Sequence, residues 1–373
     1  MFPMAWALKA AGHEVLVAGQ PDVESASHGA GLSTWTAGGP FYVREQMAGH
    51  LVGARRPIEL GIYRDLDGNW DAVNRVWIDN ARYMVRHYLK LARDWRPQLI
   101  LADPVEFSSR IIGGLLGIPV VVHRWGLDLL GGPAEQLARQ ALFLTMTDLG
   151  LASLPEASLI LDPCPPSLQV QEAAPGESIR YVLSNGAAAL PAWALRPADR
   201  PRVCLTFGHL TASLNGVSLF RRLMTAFGDI SDIEFILTLE RDYADALGAV
   251  PECVRIVDPV PLDLFLRTCD AIVHHGGAGT FLSACAVGVP QLVLPGFADS
   301  FAVGEQIAQS GAGISVARVV GQNNPKTLRD SVLRVVQDPS FRQNAERVAS
   351  EVAGLPTPAD AVQMLEKLAV RSG

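Results

Sequence analysis

Short apolar runs alternate along most of the chain with longer stretches whose apolar residues recur every three or four positions. In the first half, the runs at 15–18, 99–102 and 120–123 predict buried strands, and the helical pattern predicts a long helix over about 70–95. In the second half, a run beginning at Val203 and runs at 234–239, 254–257, 271–273, 291–294 and 313–316 predict six more strands. This alternation is typical of βαβ units, so the sequence predicts an α/β protein with parallel sheets.

Two domains are expected because the chain has 373 residues and a domain typically has ~150. An Ala-, Pro- and Arg-rich stretch with little periodicity separates the two series of strands. We therefore predict a first domain over 1–188, a linker over 189–201, a second domain over 202–355 and a final helical segment over 356–373. The chain starts with a predicted helix, whereas an open α/β sheet normally starts with a strand, so the first strand of the first domain is expected to be absent.

Composition narrows the possible functions. The net charge of −7 without a basic block argues against binding to nucleic-acid phosphates. The five cysteines are scattered without a CxxC pair, and the histidines have no metal-ligand spacing beyond one adjacent pair, so no metal site is expected. No apolar run reaches the ~18 residues of a spanning helix, and no signal-peptide pattern is present. We therefore expect a cytoplasmic protein with no membrane partner.

A glycine-rich turn between a predicted strand and a predicted helix carries the clearest functional signal. Its sequence is His274-His275-Gly276-Gly277-Ala278-Gly279-Thr280. Small residues let ligand oxygens approach the backbone, and the first N–H groups of the helix point toward them. The turn therefore predicts a phosphate site in which imidazole adds a hydrogen-bond donor or a positive charge. The alternative is a tight strand-to-helix turn with two incidental histidines.

Two other loops of the second half extend this pattern. A proline-fixed loop near Val260 could hold a pyrimidine base through backbone groups, and Asp299 could accept hydrogen bonds from sugar hydroxyls. Ligands of open parallel sheets bind outside the carboxyl ends of the strands. Sites for base, diphosphate and sugar at successive strand ends predict a nucleotide-sugar ligand.

The run from Val257 through Thr280, with VDPVPL and CDAIVHHGGAGT, resembles the signature of the GT-B glycosyltransferases, specifically the bacterial family 1 branch that modifies antibiotics. The segment 159–168 is similar to members that attach deoxysugars to polyketide aglycones. The resemblance implies two Rossmann-like domains facing each other across a cleft, with the C-terminal helix returning to the first domain. It also implies a metal-independent, inverting transfer that uses a dTDP-sugar as co-substrate and no cofactor.

The resemblance also implies roles for residues of the donor half. His274 would contact the α-phosphate and take part in catalysis, and the donor site would also include Gly208, His209, Val260, His275, Gly276, Gly277, Ala278, Gly279, Thr280, Asp299 and Ser300. His275 could instead face the core. Ser300 stands where relatives usually have Gln, and its shorter side chain offers fewer hydrogen bonds, which is compatible with a deoxysugar. His209 replaces a small residue and could reach the diphosphate or the acceptor.

The general base is expected in the acceptor half. Most relatives use a histidine after the first strand, a part of the pattern that is missing here. We expect Asp128 to serve as base instead if Trp125 and Leu129 desolvate it, with His123, Trp125 and Asp128 binding the acceptor. One alternative is that Asp128 has a structural role. Another is that Asp103 is the base.

The predicted function is therefore transfer of a deoxyhexose from a dTDP-sugar to a polyketide-type, aromatic aglycone in antibiotic biosynthesis. The expected partners are the nucleotide-sugar and a hydrophobic aglycone; the oligomeric state is open, with a homodimer among the options. One alternative is a GT-B epimerase or hydrolase acting on the nucleotide-sugar alone. Another is a non-catalytic auxiliary protein that binds nucleotide-sugars.

Overall fold

A computed structural model describes the backbone of residues 1–42, 45, 51–61, 66–129, 132–196 and 198–371, and the side chains among them except for 66–74, 133–134, 209–210 and 371. The chain divides into two compact units. The first unit comprises Met1–Val43, Asp67–Tyr181 and Leu355–Gly373, and the second comprises Arg44–Leu66 and Val182–Gly354.

The elements of the first half confirm the alternating pattern. Through residue 181 they are α1 (Phe2–Ala10), β1 (Val17–Gly19), α2 (Glu24–Gly29), β2 (Thr34–Thr36), α3 (Pro57–Leu60), α4 (Leu66–Trp95), β3 (Ile100–Ala102), α5 (Phe107–Leu116), β4 (Val120–His123), α6 (Pro133–Ala141), α7 (Phe143–Asp148), β5 (Leu159–Asp162) and β6 (Glu177–Ser178). Strands β1 and β2 form one parallel sheet, and β3-β4-β5-β6 form another in that order.

The second half is a regular α/β series. Its elements are β7 (Arg202–Thr206), α8 (Gly208–Thr211), α9 (Val217–Phe227), β8 (Glu234–Thr238), α10 (Arg241–Leu247), β9 (Val254–Val257), β10 (Ala271–His274), α11 (Ala278–Val287), β11 (Gln291–Val293), α12 (Ser300–Ser310), β12 (Gly313–Ser315), α13 (Val319–Gln322), α14 (Pro325–Gln337), α15 (Pro339–Gly354) and α16 (Pro358–Arg371). Six parallel strands form one sheet in the order β12-β11-β10-β7-β8-β9.

The sheet of the second unit is covered by an apolar cluster on each face, and successive side chains of a strand point into opposite clusters. Val273 contributes to one apolar cluster with residues of α9 and α14, whereas Ile272 contributes to another with Phe265 and residues of α11. Burial on both faces explains why these strands read as continuous apolar runs in the sequence.

The observed division of the chain differs from the predicted boundaries in two places. Residues 44–66, assigned to the first domain from sequence, group with the second unit, which also takes the chain from Val182 onward. The stretch 189–201 is not a loose linker, since Ala194 is buried and the Trp193 ring lies 5.2 Å from the Phe265 ring. Helical or strand periodicity did not reveal this packing, because Trp193 and Ala194 pack from an irregular segment.

The C-terminal helix α16 groups with the first unit. Its apolar face packs on α1 and on the sheet of that unit, in a cluster formed by Met4, Val121, Leu161, Ile179, Ala361, Val362 and Leu365. Among the described helices, none is both long enough and apolar enough to cross a membrane. Within the described ranges, no three His, Cys, Asp or Glu side chains come together as a potential metal site.

Candidate functional site

The glycine-rich turn connects β10 to α11, as the sequence predicted. Helix α11 has Gly277 as its N-cap residue, without a side-chain cap, and the first helical hydrogen bond runs from Phe281 N to Gly277 O at 2.9 Å. The amides of Ala278 and Thr280 precede this bond in the first turn, so they belong to the positive end of the helix. This arrangement suits an anionic ligand.

Gly276 could not be replaced without disturbing the turn. Its φ of +94° lies in the region that disfavours side chains, and an added Cβ would lie 2.9 Å from both Cβ and the carbonyl oxygen of Ser300. The turn after β10 is thus packed tightly against the start of α12, which follows the neighbouring strand β11.

His274 belongs to the core and does not face a ligand. Its side chain is completely buried, Nε2 lies 2.9 Å from Gln291 Oε1, and Nδ1 accepts a hydrogen bond of 3.1 Å from Gly276 N. Burial lowers the pKa of His274 to about 3, so its ring is neutral. Both ring nitrogens are occupied within the protein, which contradicts the predicted phosphate contact by His274.

His275 is the histidine that lies in the turn. Its ring is packed against two glycines, such that a Cβ added to Gly277 would lie 2.5 Å from Nε2 and one added to Gly208 would lie 3.2 Å from Cε1. Its Nδ1 is buried without a hydrogen-bond partner among the described residues, and burial lowers the pKa to about 4. His275 therefore places a neutral imidazole at the glycine-rich turn, with a buried Nδ1 that no described group satisfies.

The adjacent residues Asp299 and Ser300 have different environments. Ser300 is buried, and its Oγ accepts hydrogen bonds from Gly296 N at 3.2 Å and Phe297 N at 3.1 Å, so it holds the loop instead of offering a group to a sugar. The expected sugar contact by Ser300 is therefore contradicted. Asp299 is half-buried and begins α12, and burial raises its pKa to about 6.

The remaining donor-site candidates lie in the loops after β7 and β9. Gly208 follows β7 with a φ of +62°, and the side chain of its neighbour His209 lies outside the described residues. Val260 is half-buried and packs against the cluster that contains Phe265. Because β7 and β11 are the two neighbours of β10, the loops that follow them flank the phosphate turn at the same edge of the sheet.

The predicted base Asp128 is held in a structural network in the first unit. Its carboxylate forms a buried ion pair with Arg124, which also donates to Asp162 Oδ2 at 2.7 Å, and Asp128 N donates to Gln169 Oε1 at 2.9 Å. Both groups of this ion pair are buried, so the carboxylate is held by its partners inside the first unit. The structure therefore favours the alternative that the sequence left open, a structural role for Asp128.

The other two predicted acceptor residues have different environments. His123 is half-buried, its Nδ1 lies 2.8 Å from Arg124 O, and burial lowers its pKa to about 4. Trp125 is 41% exposed, and its ring lies 6.2 Å from that of Trp77. Trp125 is thus an accessible aromatic surface, whereas His123 is anchored to the backbone.

An apolar cavity of about 770 Å³ lies in the first unit, lined by β1, β3 and parts of α1 and α4. Two carboxyl groups at the end of β3, those of Asp103 and Glu106, line it. Asp103 Oδ1 accepts hydrogen bonds from Val105 N at 2.9 Å and Glu106 N at 3.0 Å, and burial raises the pKa of Asp103. Burial raises the pKa of Glu106 to about 7.

Glu106 was not singled out from sequence, although a signal was present. The spacing Asp103-x-x-Glu106 directly after a predicted strand places two carboxyl groups in one tight turn at the carboxyl end of that strand. What the sequence did not reveal was burial, which gives both groups raised pKa values and makes them functional candidates.

Two parallel-sheet α/β units, one of them with a His-His-Gly-Gly turn at the carboxyl edge of its sheet, define a glycosyltransferase of the GT-B class. The chain belongs to the erythromycin biosynthesis protein CIII-like family: the model of the N-terminal domain matches residues 6–208, and that of the C-terminal domain matches residues 221–368.

Individual relatives agree with this assignment. The chain is 33% identical to 10-deoxymethynolide desosaminyltransferase of Streptomyces venezuelae, with 100% of this chain and 94% of that protein covered. It is 32% identical to aclacinomycin-T 2-deoxy-L-fucose transferase of Streptomyces galilaeus, with 98% and 92% covered. The solved structure of spinosyn rhamnosyltransferase SpnG complexed with thymidine diphosphate matches with a TM-score of 0.87 and 34% identity, covering 98% of this chain and 95% of that one. The prediction of a glycosyltransferase is confirmed.

Proposed function

We propose that this glycosyltransferase transfers a deoxyhexose from a dTDP-sugar to a polyketide aglycone in antibiotic biosynthesis. The names of the relatives support deoxysugars as the transferred group and polyketides as acceptors, and the thymidine diphosphate complex of SpnG supports the nucleotide. The observation that carries the proposal is the glycine-rich turn, where the positive end of α11 lies beside the His275 ring, whose Nδ1 has no described hydrogen-bond partner.

On the donor side, the reaction requires stabilisation of the departing diphosphate. The acceptor atom attacks the anomeric carbon, the bond from that carbon to the diphosphate oxygen breaks, and the proton of the acceptor passes to a base. The amides of the first turn of α11 and the His275 ring offer hydrogen bonds to the charge that develops on the leaving group. Asp299 accepts hydrogen bonds from sugar hydroxyls, and inversion follows from a single displacement.

On the acceptor side, Asp103 is the better base. It lies at the carboxyl end of β3 beside an apolar cavity, and its raised pKa makes it a stronger proton acceptor than an exposed aspartate. Asp128, in contrast, is engaged in a buried ion pair with Arg124.

The base is tested with Asp103→Asn and Asp128→Asn. We expect Asp103→Asn to lower the turnover number at least ~100-fold, within the usual contribution of a general base, with dTDP affinity unchanged. We expect Asp128→Asn to lower the melting temperature more than the turnover number of the folded fraction. A large loss of turnover in Asp128→Asn, with turnover nearly unchanged in Asp103→Asn, would instead identify Asp128 as the base.

The function itself is tested by incubating the protein with dTDP-deoxysugars and a panel of polyketide aglycones and analysing the products by mass spectrometry. A new glycoside is the expected result. Release or isomerisation of the sugar without an acceptor would instead indicate a nucleotide-sugar epimerase or hydrolase. Binding of dTDP without any turnover would indicate an auxiliary protein.

A further inference from the structure

The segment 51–61 lies, in sequence, between two pieces of the first unit, yet it groups with the second. We propose that this inserted segment is part of the donor site and that Arg56 is a positioning residue for the loop 294–300, which carries Asp299. The inference rests on the proposed function, since it assigns Arg56 to recognition of the sugar of the nucleotide-sugar donor.

Arg56 is the anchor of the inserted segment. Only 4% of the residue is exposed, and its Nη1 donates to Gln322 Oε1 at 2.9 Å while Nη2 donates to Asn323 Oδ1 at 2.7 Å. Glu59 compensates the charge, with Nη2 and Oε1 3.3 Å apart. A buried guanidinium with several planar hydrogen bonds fixes its partners more firmly than an exposed side chain does.

Gln322 transmits this anchoring to the donor loop. It is 1% exposed, and its Nε2 donates to the carbonyl oxygens of Pro295 at 2.7 Å and Val316 at 3.0 Å. Because Arg56 can only donate, it requires the amide oxygen of Gln322 to face it, which directs the amide nitrogen toward Pro295. Arg56 thus determines the orientation of the group that holds the start of the loop 294–300.

A second set of hydrogen bonds joins the inserted segment to the chain that follows β7, on the other side of β10 from β11. Asn215, which has a φ of +63° shortly after β7, donates from Nδ2 to Gly53 O at 3.1 Å and to Arg55 O at 2.9 Å. Pro295 follows β11, and β7 and β11 are the strands on either side of β10. Through residues 53–56, the inserted segment is therefore bonded directly to Asn215, after β7, and through Gln322 to Pro295, after β11.

This arrangement predicts an effect on the sugar and not on the nucleotide. The loop 294–300 carries Asp299, whereas the nucleotide contacts are assigned to the turn after β10 and to the loop near Val260. Loss of Arg56 should free the Gln322 amide and loosen the loop, while the phosphate turn keeps its own hydrogen bonds. The signature is a higher KM for the dTDP-sugar with an unchanged Kd for dTDP.

The test compares Arg56→Met with Arg222→Met. Arg222 is a matched control, because its Nη2 lies 3.5 Å from the same Glu59 carboxylate and no hydrogen bond joins it to Gln322 among the described contacts. For Arg56→Met we expect the KM of the dTDP-sugar to rise about tenfold, with the Kd of dTDP by calorimetry within about twofold of wild type. For Arg222→Met both constants should stay near wild type.

An unchanged KM in Arg56→Met, or an equal weakening of dTDP and dTDP-sugar, would overturn the inference. If Arg56→Met fails to fold, Arg56→Lys replaces it in the test. Lysine keeps the positive charge but cannot bond both Gln322 and Asn323. We again expect a higher KM for the dTDP-sugar with an unchanged Kd for dTDP. A wild-type protein that binds no dTDP would instead overturn the proposed function. The two failures are therefore distinguishable.

Discussion

At the scale of single residues, neighbours in sequence have opposite environments at the end of β10. His274 is still part of the strand and points into the core beside Gln291, whereas His275 begins the turn and lies against Gly208 and Gly277. The alternation of side chains along a strand causes this separation. A motif of two adjacent histidines therefore offers one of them to a ligand, and tertiary packing decides which.

We expect His275→Ala to lower the turnover number at least about tenfold, which corresponds to ~1.4 kcal/mol of lost transition-state stabilisation. His274→Ala should chiefly lower the melting temperature, because it leaves Gln291 Oε1 and Gly276 N without their partner. Steady-state kinetics and thermal unfolding separate the two effects, and His28→Ala at an exposed position is the control. Full turnover in His275→Ala would remove this histidine from the mechanism.

Glu106 should make stability depend on pH with a sign opposite to that of most carboxylates. Burial raises its pKa from 4.5 to about 7, so the folded state binds more protons than the unfolded state between these values. Stability therefore falls as the pH rises through this window. We expect Glu106→Gln to be more stable than wild type at pH 8 by up to ~3 kcal/mol, with little difference at pH 4.5.

Urea unfolding at pH values from 4.5 to 8 measures this difference. Glu177→Gln, at an exposed position, is the matched control and should follow the wild-type profile. A Glu106→Gln profile parallel to that of the wild type would show that this carboxyl group does not carry the pH dependence.

At the scale of elements, the junction of β10 and α11 depends on the absence of side chains. Gly277 has φ −66° and ψ 140°, which any residue adopts, so alanine there causes no backbone strain. Its Cβ would nevertheless lie 2.5 Å from His275 Nε2 and displace the ring. Gly277→Ala should therefore move the His275 ring while leaving the backbone conformation of the turn unchanged.

We expect Gly277→Ala to weaken dTDP binding about tenfold, or ~1.4 kcal/mol, with a nearly unchanged melting temperature. Calorimetric titration with dTDP measures the change. Gly29→Ala, at the end of α2 with no neighbour within 4 Å of the added Cβ, is the control. Undiminished dTDP binding by Gly277→Ala would mean that the ring position has no part in nucleotide binding.

At the scale of the whole molecule, the chain passes between its two units several times. The inserted segment 51–61 belongs to the second unit, and α16 belongs to the first. The return of the chain is fixed by Arg180, whose backbone N donates to Pro356 O at 2.6 Å, and by the apolar contacts of Leu365 with the cluster around Met4 and Val121. Each unit is therefore completed by a segment distant in sequence.

We expect Leu365→Ala to destabilise the first unit by about 2–5 kcal/mol, the usual range for a buried leucine. The second unit should keep its affinity for dTDP, because the described residues of this cluster all belong to the first unit. Differential scanning calorimetry with and without dTDP distinguishes the units, and exposed Lys367→Ala is the control. A loss of dTDP binding in Leu365→Ala would show that the two units unfold together.

The sequence by itself determined the α/β class, the position of nearly every strand of the second unit and the turn at the start of α11. These features are encoded locally, in continuous apolar runs, in helical periodicity and in glycines between a strand and a helix. The resemblance carried by those residues also predicted the family and the glycosyltransferase class that the relatives confirm.

Only the tertiary structure decided which residues of each motif are buried in the core. Folding placed His274 and Ser300 in the interior, paired Arg124 with the distant Asp162, and raised the pKa of Glu106 by burial. It also placed Arg56 beside Gln322, a residue more than 250 positions away in the sequence. Solvation and ion pairing depend on groups brought together from distant parts of the chain, so local patterns do not contain them.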